Sequence, residues 1–193
     1  IYKRLLPIGV ADGVTELCNG VMIFLFNRII LRCLGDDGLV CYTIIAYVNT
    51  LIINTMLGIS QGSQPLVSYH YGKEDAAGYR KLLRYGFTAV GIMTVVICAV
   101  VMVFAPQIAG IFLGTENPGL VADAAGALRR YGLCYLLLGS NVLLGGFLTA
   151  VERPTGAICI SVGRGLVFQA TALAALAFTI GGSAIWYAPV ISE

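Results

Sequence analysis

Residues 85–115, YGFTAVGIMTVVICAVVMVFAPQIAGIFLGT, contain no charged side chain. A membrane-spanning helix needs about 20 predominantly apolar residues, because the hydrocarbon core of a bilayer is about 30 Å thick. This stretch exceeds that length, and three further stretches also lack Asp, Glu, Lys and Arg, namely residues 38–72, 131–151 and 165–192. The sequence therefore predicts an all-α fold, a polytopic bundle of transmembrane helices in a lipid bilayer.

The composition indicates the same class. Hydrophobic residues make up 58% of the chain and charged residues only 11%, whereas a soluble domain carries about 25% charged residues. This excludes an ordinary soluble domain and a disordered chain. The net charge of +2 gives no reason to expect nucleic acid as a partner. The six cysteines form no Cys-x-x-Cys pair and the single His has no nearby partner, so we expect no metal site and no cofactor.

The breaks between the apolar stretches define the predicted helices. A fifth apolar segment precedes the uncharged ones, and a compact polar turn, Gly35-Asp36-Asp37-Gly38, separates it from the next. The final apolar run has about 10 residues, half of what a span needs, so we expect a piece of a longer protein. We predict one domain over 1–193, incomplete at both ends, with five full membrane helices and a truncated sixth at about 5–33, 39–67, 84–104, 125–150, 157–180 and 184–193.

Lys and Arg predict the orientation, since cytoplasmic loops of membrane proteins carry an excess of both. Four of these residues fall on one side, Arg28, Arg32, Arg129 and Arg130. Eight fall on the other side, Lys3, Arg4, Lys73, Arg80, Lys81, Arg84, Arg153 and Arg164. The excess predicts a cytoplasmic N-terminus for this segment, and we expect the protein in the plasma membrane of the cell.

The first predicted helix carries a polar stripe. Asp12, Glu16, Asn19, Ile23 and Asn27 are spaced by four, three, four and four residues, so they fall within about 80° of one another on a helix. A charge at mid-bilayer costs roughly 2.5–3.5 kcal/mol, so such residues must face protein or a water-filled cavity. We predict that Glu16 binds a coupling ion, with Asn19 and Asn27 beside it. The alternative is a structural polar network that holds the helices together.

Two further helices present polar faces. Asn54 and Gln61 share one face of the second helix, with Gln64 to the side, and Tyr131 and Tyr135 share a face of the fourth. Amide oxygens coordinate cations, and tyrosine rings attract them by about 2 kcal/mol when desolvated. We predict that these five residues line a substrate cavity. Hydrogen bonds between helices and aromatic packing explain the same residues without a ligand.

The sequence contains no catalytic motif. A Gly-rich phosphate loop, a serine nucleophile elbow, paired carboxylates and a metal-binding pattern are all missing from it. We therefore expect a protein that is not an enzyme.

Four sequence blocks together resemble a known family. The end of the second helix and the turn after it read GISQGSQPLVSYHYG, residues 58–72. The other blocks are GVADGVTELCNGVMIFLFNRII at 9–30, ERPTGAICISVGRGLVFQ at 152–169 and SAIWYAPVISE at 183–193. In this order they resemble the multidrug and toxic compound extrusion (MATE) family, and the resemblance covers essentially the whole chain.

The resemblance implies the C-terminal six-helix lobe of a twelve-helix transporter. Such proteins export organic, often cationic, compounds in exchange for Na⁺ or H⁺, by opening a central cavity alternately to each side. The resemblance assigns Glu16 and Asn27 to the seventh-helix motif, and Gln61, Gln64 and Pro65 to the eighth-helix motif. The partners that it implies are small organic cations, the lipid bilayer and the missing N-terminal lobe of the same protein.

The sequence leaves two other functions open. One is a lipid-linked saccharide flippase of the same superfamily, although such proteins often carry more cationic cavity residues than this chain has inside its helices. The other is a non-transporting half-protein or scaffold.

Overall fold

The computed structural model describes residues 2–114, 117–152, 154–179 and 182–193, without the side chains of 2–8, 11, 12 and 154. The predicted stripe residue Asp12 lies outside the described side chains, and no strand occurs in the described ranges. The helices in these ranges are α1 (Tyr2–Gly72), α2 (Ala76–Leu113), α3 (Pro118–Gly132), α4 (Tyr135–Ala150), α5 (Pro154–Val162), α6 (Gln169–Thr179) and α7 (Ala188–Ser192), with a π-helical turn at Gly163–Phe168 and a 3₁₀ turn at Gly182–Tyr187.

Helix α1 is a hairpin of two arms, residues 2–34 and 36–72, that meet at Gly35. The rings of Phe26 and Tyr42 stack with their centroids 5.2 Å apart, whereas sixteen residues of straight helix would separate them by about 24 Å. Gly35 makes this reversal with φ 69° and ψ −160°, a conformation that is essentially restricted to glycine. The two arms therefore pack side by side.

The polar turn predicted over Gly35–Gly38 is shorter in the structure. Asp36 and Asp37 are already helical, and both are exposed. A Cβ on Gly38 would come 2.3 Å from Leu34 Cβ and 3.1 Å from Ile30 Cγ2. Only a hydrogen fits at that position, so the second arm starts in direct contact with the end of the first.

Within the described residues, three helices are long and apolar enough to cross a membrane: Gly13–Gly72, Ala76–Leu113 and Thr155–Thr179. Helices α3 and α4 pass the same test together, as one span bent by 46°. The first span has 60 residues, which is about 90 Å of helix. The break at Gly35 divides this length into two arms of about 33 and 55 Å, each long enough to cross a hydrocarbon core of about 30 Å. The predicted all-α bundle of membrane helices is confirmed.

The fourth predicted helix, 125–150, is broken in the structure. Helix α3 ends at Gly132 and α4 begins at Tyr135, and the N–H of Cys134 donates to the Tyr131 carbonyl oxygen. A Cβ on Gly132 would come 2.9 Å from Val101 Cγ1 of α2. The break therefore lies at a close contact between α3 and α2, after a glycine, which is a poor helix former.

Three other predicted helices differ in extent or regularity. Helix α2 extends beyond the predicted 84–104, because Asp75 caps its first turn and Gly114, with φ 68°, ends it. The predicted helix 157–180 contains the π-helical turn between α5 and α6. The predicted sixth helix begins as the 3₁₀ turn before α7.

Two clusters of buried apolar side chains hold the bundle together. Members of the larger cluster, which joins α1 to α3 and to the final segment, include Phe26, Ile45, Leu128 and Trp186. Members of the smaller cluster, which joins α1, α2 and α4, include Met56, Val90, Leu143 and Phe147. Glycine permits a close contact between α4 and α2, since a Cβ on Gly139 would come 2.5 Å from Thr94 Cγ2. Small residues allow such contacts between membrane helices.

Candidate functional site

A cleft of about 350 Å³ opens inside the helix bundle. It lies between the two arms of α1 on one side and the α3–α4 break, the π-helical turn and α7 on the other. Small-molecule sites usually measure about 300–1,000 Å³, so this cleft is at the lower end of that range. Its polar lining consists of Thr15, Glu16, Asn19, Asn49, Thr50, Asn54, Ser161, Arg164, Gln169 and Glu193.

Four residues that were predicted from the sequence line this cleft. Glu16 and Asn19 come from the first arm of α1, Asn54 from its second arm and Tyr131 from the end of α3. Positions three or four residues apart share one face of a helix, and the hairpin at Gly35 brings the two polar faces to the same space. The cleft thus combines a carboxylate, amides and an aromatic ring.

Three other predicted residues on the same arms do not line the cleft. Asn27 directly follows Phe26, which does line it, so Asn27 is at the right depth without contributing to the wall. Gln61 lies four residues beyond Leu57, the last lining residue of the second arm, which is about 6 Å along the helix axis. Gln64 lies at the contact with α4, where a Cβ on Gly146 would come 3.2 Å from its Nε2 atom.

Tyr135 is the fourth predicted site residue that does not line the cleft, and its side chain belongs to the core. Its side chain is 0% exposed, and its ring centroid lies 6.0 Å from that of Tyr131. Its hydroxyl has no hydrogen-bond partner in the described part of the chain. The break between α3 and α4 separates the two tyrosines, so Tyr131 lines the cleft and Tyr135 does not.

A partly buried ion pair forms part of the cleft wall. Arg164 Nη1 and Glu193 Oε1 are 2.5 Å apart, and their side chains are 21% and 10% exposed. Asn141 Nδ2 donates to Glu193 Oε2 at 2.7 Å and to the Glu193 carbonyl oxygen at 3.0 Å. Arg164 Nε is buried, and none of the described residues accepts a hydrogen bond from it. The network ties the π-helical turn to α4 and to the residue after α7.

No sequence pattern predicts this network. Arg164 is counted with the charges of the cytoplasmic side, although it falls inside the predicted helix 157–180, and the structure places it inside the span Thr155–Thr179. No role is predicted for Asn141 or Glu193. One signal was available, because Gly163-Arg164-Gly165 combines a charge with two poor helix formers. The π-helical turn at these residues is of a kind that often marks functional sites. Seven Lys and Arg residues remain on the predicted cytoplasmic side against four, so the predicted orientation does not depend on Arg164.

Aromatic rings form another part of the wall. Phe26 and Tyr42 line the cleft and stack with an angle of 4° between their planes. Tyr131 is 7% exposed. The faces of aromatic rings attract cations by about 2 kcal/mol when water is excluded. This wall therefore suits a cation that also has apolar surface.

The carboxylate and amides at the open side of the cleft are exposed. Glu16 and Asn19 are exposed on one face of the first arm, and Leu17 and Phe24 are 72% and 66% exposed on a neighbouring face. The apolar face is suited to lipid, whereas a carboxylate in hydrocarbon would cost roughly 2.5–3.5 kcal/mol. The face of Glu16 therefore requires water or protein next to it.

The described side chains offer one open carboxylate in the cleft. No three His, Cys, Asp or Glu side chains come together as metal ligands in the described ranges. Glu193 is already paired with Arg164, which leaves Glu16, with the amide oxygens of Asn19 and Asn54 lining the same space. Carboxylate and amide oxygens are the ligands of hard monovalent and divalent cations.

A larger cavity, of about 840 Å³, lies at the turn between α1 and α2. Its polar side chains come from helix ends. Asp75 accepts from the N–H of Gly78 at 2.9 Å and contacts His70 Nδ1 at 2.8 Å. These two contacts hold the pKa of the Asp75 carboxyl below its ordinary value, because both favour the ionised form. Helix capping accounts for this arrangement, so we assign the functional site to the smaller cleft.

Comparisons with known proteins agree with this architecture. The family model MatE matches residues 13–171. A MATE protein crystallised in complex with MaL6 superposes with a TM-score of 0.92 at 20% identity, covering 98% of this chain and 43% of that one. An outward-facing multidrug resistance MATE family transporter of the MOP superfamily gives 0.89 at 20% identity, covering 97% and 42%. A search of curated proteins found no significant match.

A third solved structure differs in its described function. It is a MOP superfamily transporter from Pyrococcus furiosus Vc1 (DSM3638), whose binding pocket is described as having reverse polarity that suggests a different function. Its TM-score is 0.88 at 20% identity, covering 97% of this chain and 42% of that one. At such identities the superpositions show the shared fold. The chain spans less than half the length of each of these three structures.

Proposed function

This chain belongs to the MatE family, and on that premise we propose that the full-length protein is a secondary active antiporter. It exports organic cations across the plasma membrane in exchange for Na⁺ or H⁺, by alternating access. Family membership confirms the resemblance found in the sequence, and the protein is an integral membrane protein. This segment supplies one lobe, with its N-terminus in the cytoplasm, and an N-terminal lobe supplies the facing wall of the cavity.

One observation supports the proposal most strongly, which is the combination of Glu16 with an aromatic wall in an apolar bundle. Glu16 supplies a negative charge, Asn19 and Asn54 supply amide oxygens, and Tyr131 supplies a ring face. An organic cation and a proton or Na⁺ both neutralise the same carboxylate, so they compete for it. Exchange follows from that competition, because a cavity that binds either one but not both moves them in opposite directions.

The exposure of Glu16 supports a two-lobe protein. A carboxylate on a membrane helix must face water or protein rather than lipid. Glu16 is exposed in this structure, which contains one lobe. A second lobe packed across the open side of the cleft would enclose a water-filled cavity at that face. The sequence also left open a half-protein that does not transport. Such a protein would have no second lobe to cover Glu16.

The second candidate function is a lipid-linked saccharide flippase, and Arg164 is the observation in its favour. A guanidinium in the cleft suits a phosphate group. In this structure Glu193 already occupies that guanidinium, and the described ionised residues of the cleft, Glu16, Arg164 and Glu193, sum to a negative charge. A net negative cleft favours organic cations over polyanionic lipids.

Ethidium efflux tests the proposal. Cells that express the full-length protein are loaded with ethidium, and efflux is followed by fluorescence with and without a Na⁺ or H⁺ gradient. The Glu16→Gln variant keeps the size of the side chain and one acceptor oxygen and removes its charge. We expect the gradient to drive efflux by the unchanged protein and to have little effect on the variant.

Asp36→Asn is the matched control, since Asp36 is an exposed carboxylate of the same helix outside the cleft. It should transport as the unchanged protein does. Equal gradient-driven efflux from Glu16→Gln and Asp36→Asn would remove Glu16 from the mechanism. Binding of a lipid-linked pyrophosphate, without binding of any organic cation, would instead favour the flippase.

A further inference from the structure

Two of the described carboxylates line the cleft, and one of these two is available to a cation. Among the described residues, its ionised side chains are Glu16, Glu193 and Arg164. Glu193 contacts Arg164 at 2.5 Å and receives a hydrogen bond from Asn141 on its other oxygen at 2.7 Å. Glu16, on the first arm of α1, contributes to the same cleft without a described salt bridge.

Arg164 cannot leave the cleft or lose its charge. A guanidinium stays protonated at every pH that proteins experience, and Arg164 is fixed to the π-helical turn by its own backbone. It therefore acts at Glu193 as a covalently attached monovalent cation. A diffusible proton or Na⁺ at Glu193 would have to displace a bonded counter-charge that remains beside it.

We propose that Arg164 is a built-in counter-cation that occupies one of two carboxylate sites in the cleft, and so limits this lobe to one coupling cation per cycle. The inference rests on the proposed function, because it assumes that Glu16 exchanges a coupling cation. It assigns roles that differ in kind: Glu16 is the exchanging carboxylate, Glu193 is a second site filled from within, and Arg164 sets the stoichiometry.

Within the part of the chain that the structure describes, no second cation contacts Glu193 and could replace Arg164. Cys134 and Tyr131 lie near enough to Glu193 to interact with it electrostatically, and both are neutral when protonated. Asn141 contributes a neutral donor from α4. Among the described residues that contact Glu193, Arg164 is the one cation. Replacing it with a neutral side chain leaves a carboxylate that must bind a proton or a cation of its own.

The first experiment counts carboxyl groups that take up a proton. Infrared difference spectra of the purified full-length protein are recorded between about pH 9 and pH 5, and the C=O band of protonated carboxyls is integrated. We compare the unchanged protein, Arg164→Gln, Arg164→Lys and the double variant Arg164→Gln/Glu193→Gln. Surface carboxylates contribute equally to all four, so differences between them report the cleft.

We expect one additional carboxyl to become protonated in Arg164→Gln, and none in Arg164→Lys or the double variant. Arg164→Lys retains the built-in charge, and the double variant lacks the second site while keeping a neutral, hydrogen-bonding pair. An Arg164→Gln spectrum identical to that of the unchanged protein would overturn the proposal. If Arg164→Gln does not fold, Glu193→Gln gives the converse test: its spectrum should equal that of the unchanged protein, and loss of one titrating carboxyl would overturn the proposal.

The second experiment measures coupling directly. The reversal potential of ethidium exchange in proteoliposomes gives the number of cations, H⁺ or Na⁺, exchanged per ethidium. We expect this number to rise by one in Arg164→Gln and to return to the original value in the double variant. An additional protonated carboxyl without any change in this number would also overturn the role of Arg164 in stoichiometry. Absence of ethidium exchange by the unchanged protein would contradict the proposed function, while the infrared comparison would still decide whether Arg164 fills the second site.

Discussion

Gly146 of α4 provides the sharpest test of how the helices pack around the cleft. A Cβ on Gly146 would come 1.9 Å from Ser60 Oγ, 3.3 Å from Ser60 Cβ and 3.2 Å from Gln64 Nε2. Ser60 is 2% exposed, and its hydroxyl donates to the Val142 carbonyl oxygen at 3.4 Å. Ser60 therefore has little room to move away, and Gly146→Ala should force α4 away from the second arm of α1.

The expected size follows from two opposing effects. Overpacking a filled contact costs typically about 1–3 kcal/mol, and a clash at 1.9 Å with a buried side chain belongs in the upper half of that range. Alanine favours the helix over glycine by up to about 1 kcal/mol. We expect Gly146→Ala to lower the free energy of unfolding by about 1–2 kcal/mol.

Gly145 supplies the matched control, because a Cβ on it would meet no atom within 4 Å. Gly145→Ala should leave the free energy of unfolding unchanged or raise it by up to about 1 kcal/mol. Unfolding in mixed micelles, titrated with a denaturing detergent and followed by circular dichroism, measures both variants. The double variant Ser60→Ala/Gly146→Ala should recover most of the loss, because the nearest remaining atoms are 3.2 and 3.3 Å away. Equal stability of Gly146→Ala and Gly145→Ala would refute the close contact.

Three further predictions use the same unfolding assay. Gly35→Ala should lower the free energy of unfolding by about 1–3 kcal/mol, because φ 69° with ψ −160° strains any side chain, whereas Gly20→Ala, in open helical surroundings, should not. Tyr135→Phe should be at least as stable as the unchanged protein, because its buried hydroxyl lacks a partner among the described residues and such a group costs about 1–3 kcal/mol; a clear loss of stability would contradict this. The pKa of Asp75 is lower in the folded protein than in the unfolded chain. The stabilisation that the ionised Asp75 gives the folded state is therefore fully present above the unfolded-state pKa of about 3.9, and it is lost as the pH falls through the folded-state pKa. Asp75→Asn should therefore show a smaller loss of stability than the unchanged protein between about pH 5 and pH 2, and equal losses would argue against the cap.

Sequence periodicity predicted the faces of the helices but not which residues of each face reach the cleft. Glu16, Asn19, Asn54 and Tyr131 line the cleft, while Gln61, on the same predicted face as Asn54, lies four residues beyond Leu57, the last lining residue of that arm. Angular position depends on 3.6 residues per turn and can be read from spacing. The extent of the cleft along each arm depends on where the arm meets its neighbours, and that is a property of the tertiary structure.

The helices themselves could be predicted from local sequence, but the breaks within them could not, because the breaks depend on tertiary contacts. The uncharged runs predicted membrane helices because burial of apolar side chains in lipid needs no partner from the chain. The kink after Gly132 depends on Val101, which is 31 residues away in the sequence. The pairing of Arg164 with Glu193, 29 residues apart, is equally invisible to local pattern. Nothing in the local pattern therefore predicts a partner for Arg164, which falls inside the predicted helix 157–180.

The most direct test of the central claim is to locate a bound organic cation in the full-length protein. Tetraphenylarsonium carries an arsenic atom, which an anomalous difference map of a co-crystal would place without reference to the model of the ligand. We expect an arsenic peak in the cleft, between Glu16, Asn54 and Tyr131, that is lost in Glu16→Gln. A peak in the larger cavity at the turn beside His70 and Asp75, undiminished in Glu16→Gln, would contradict it.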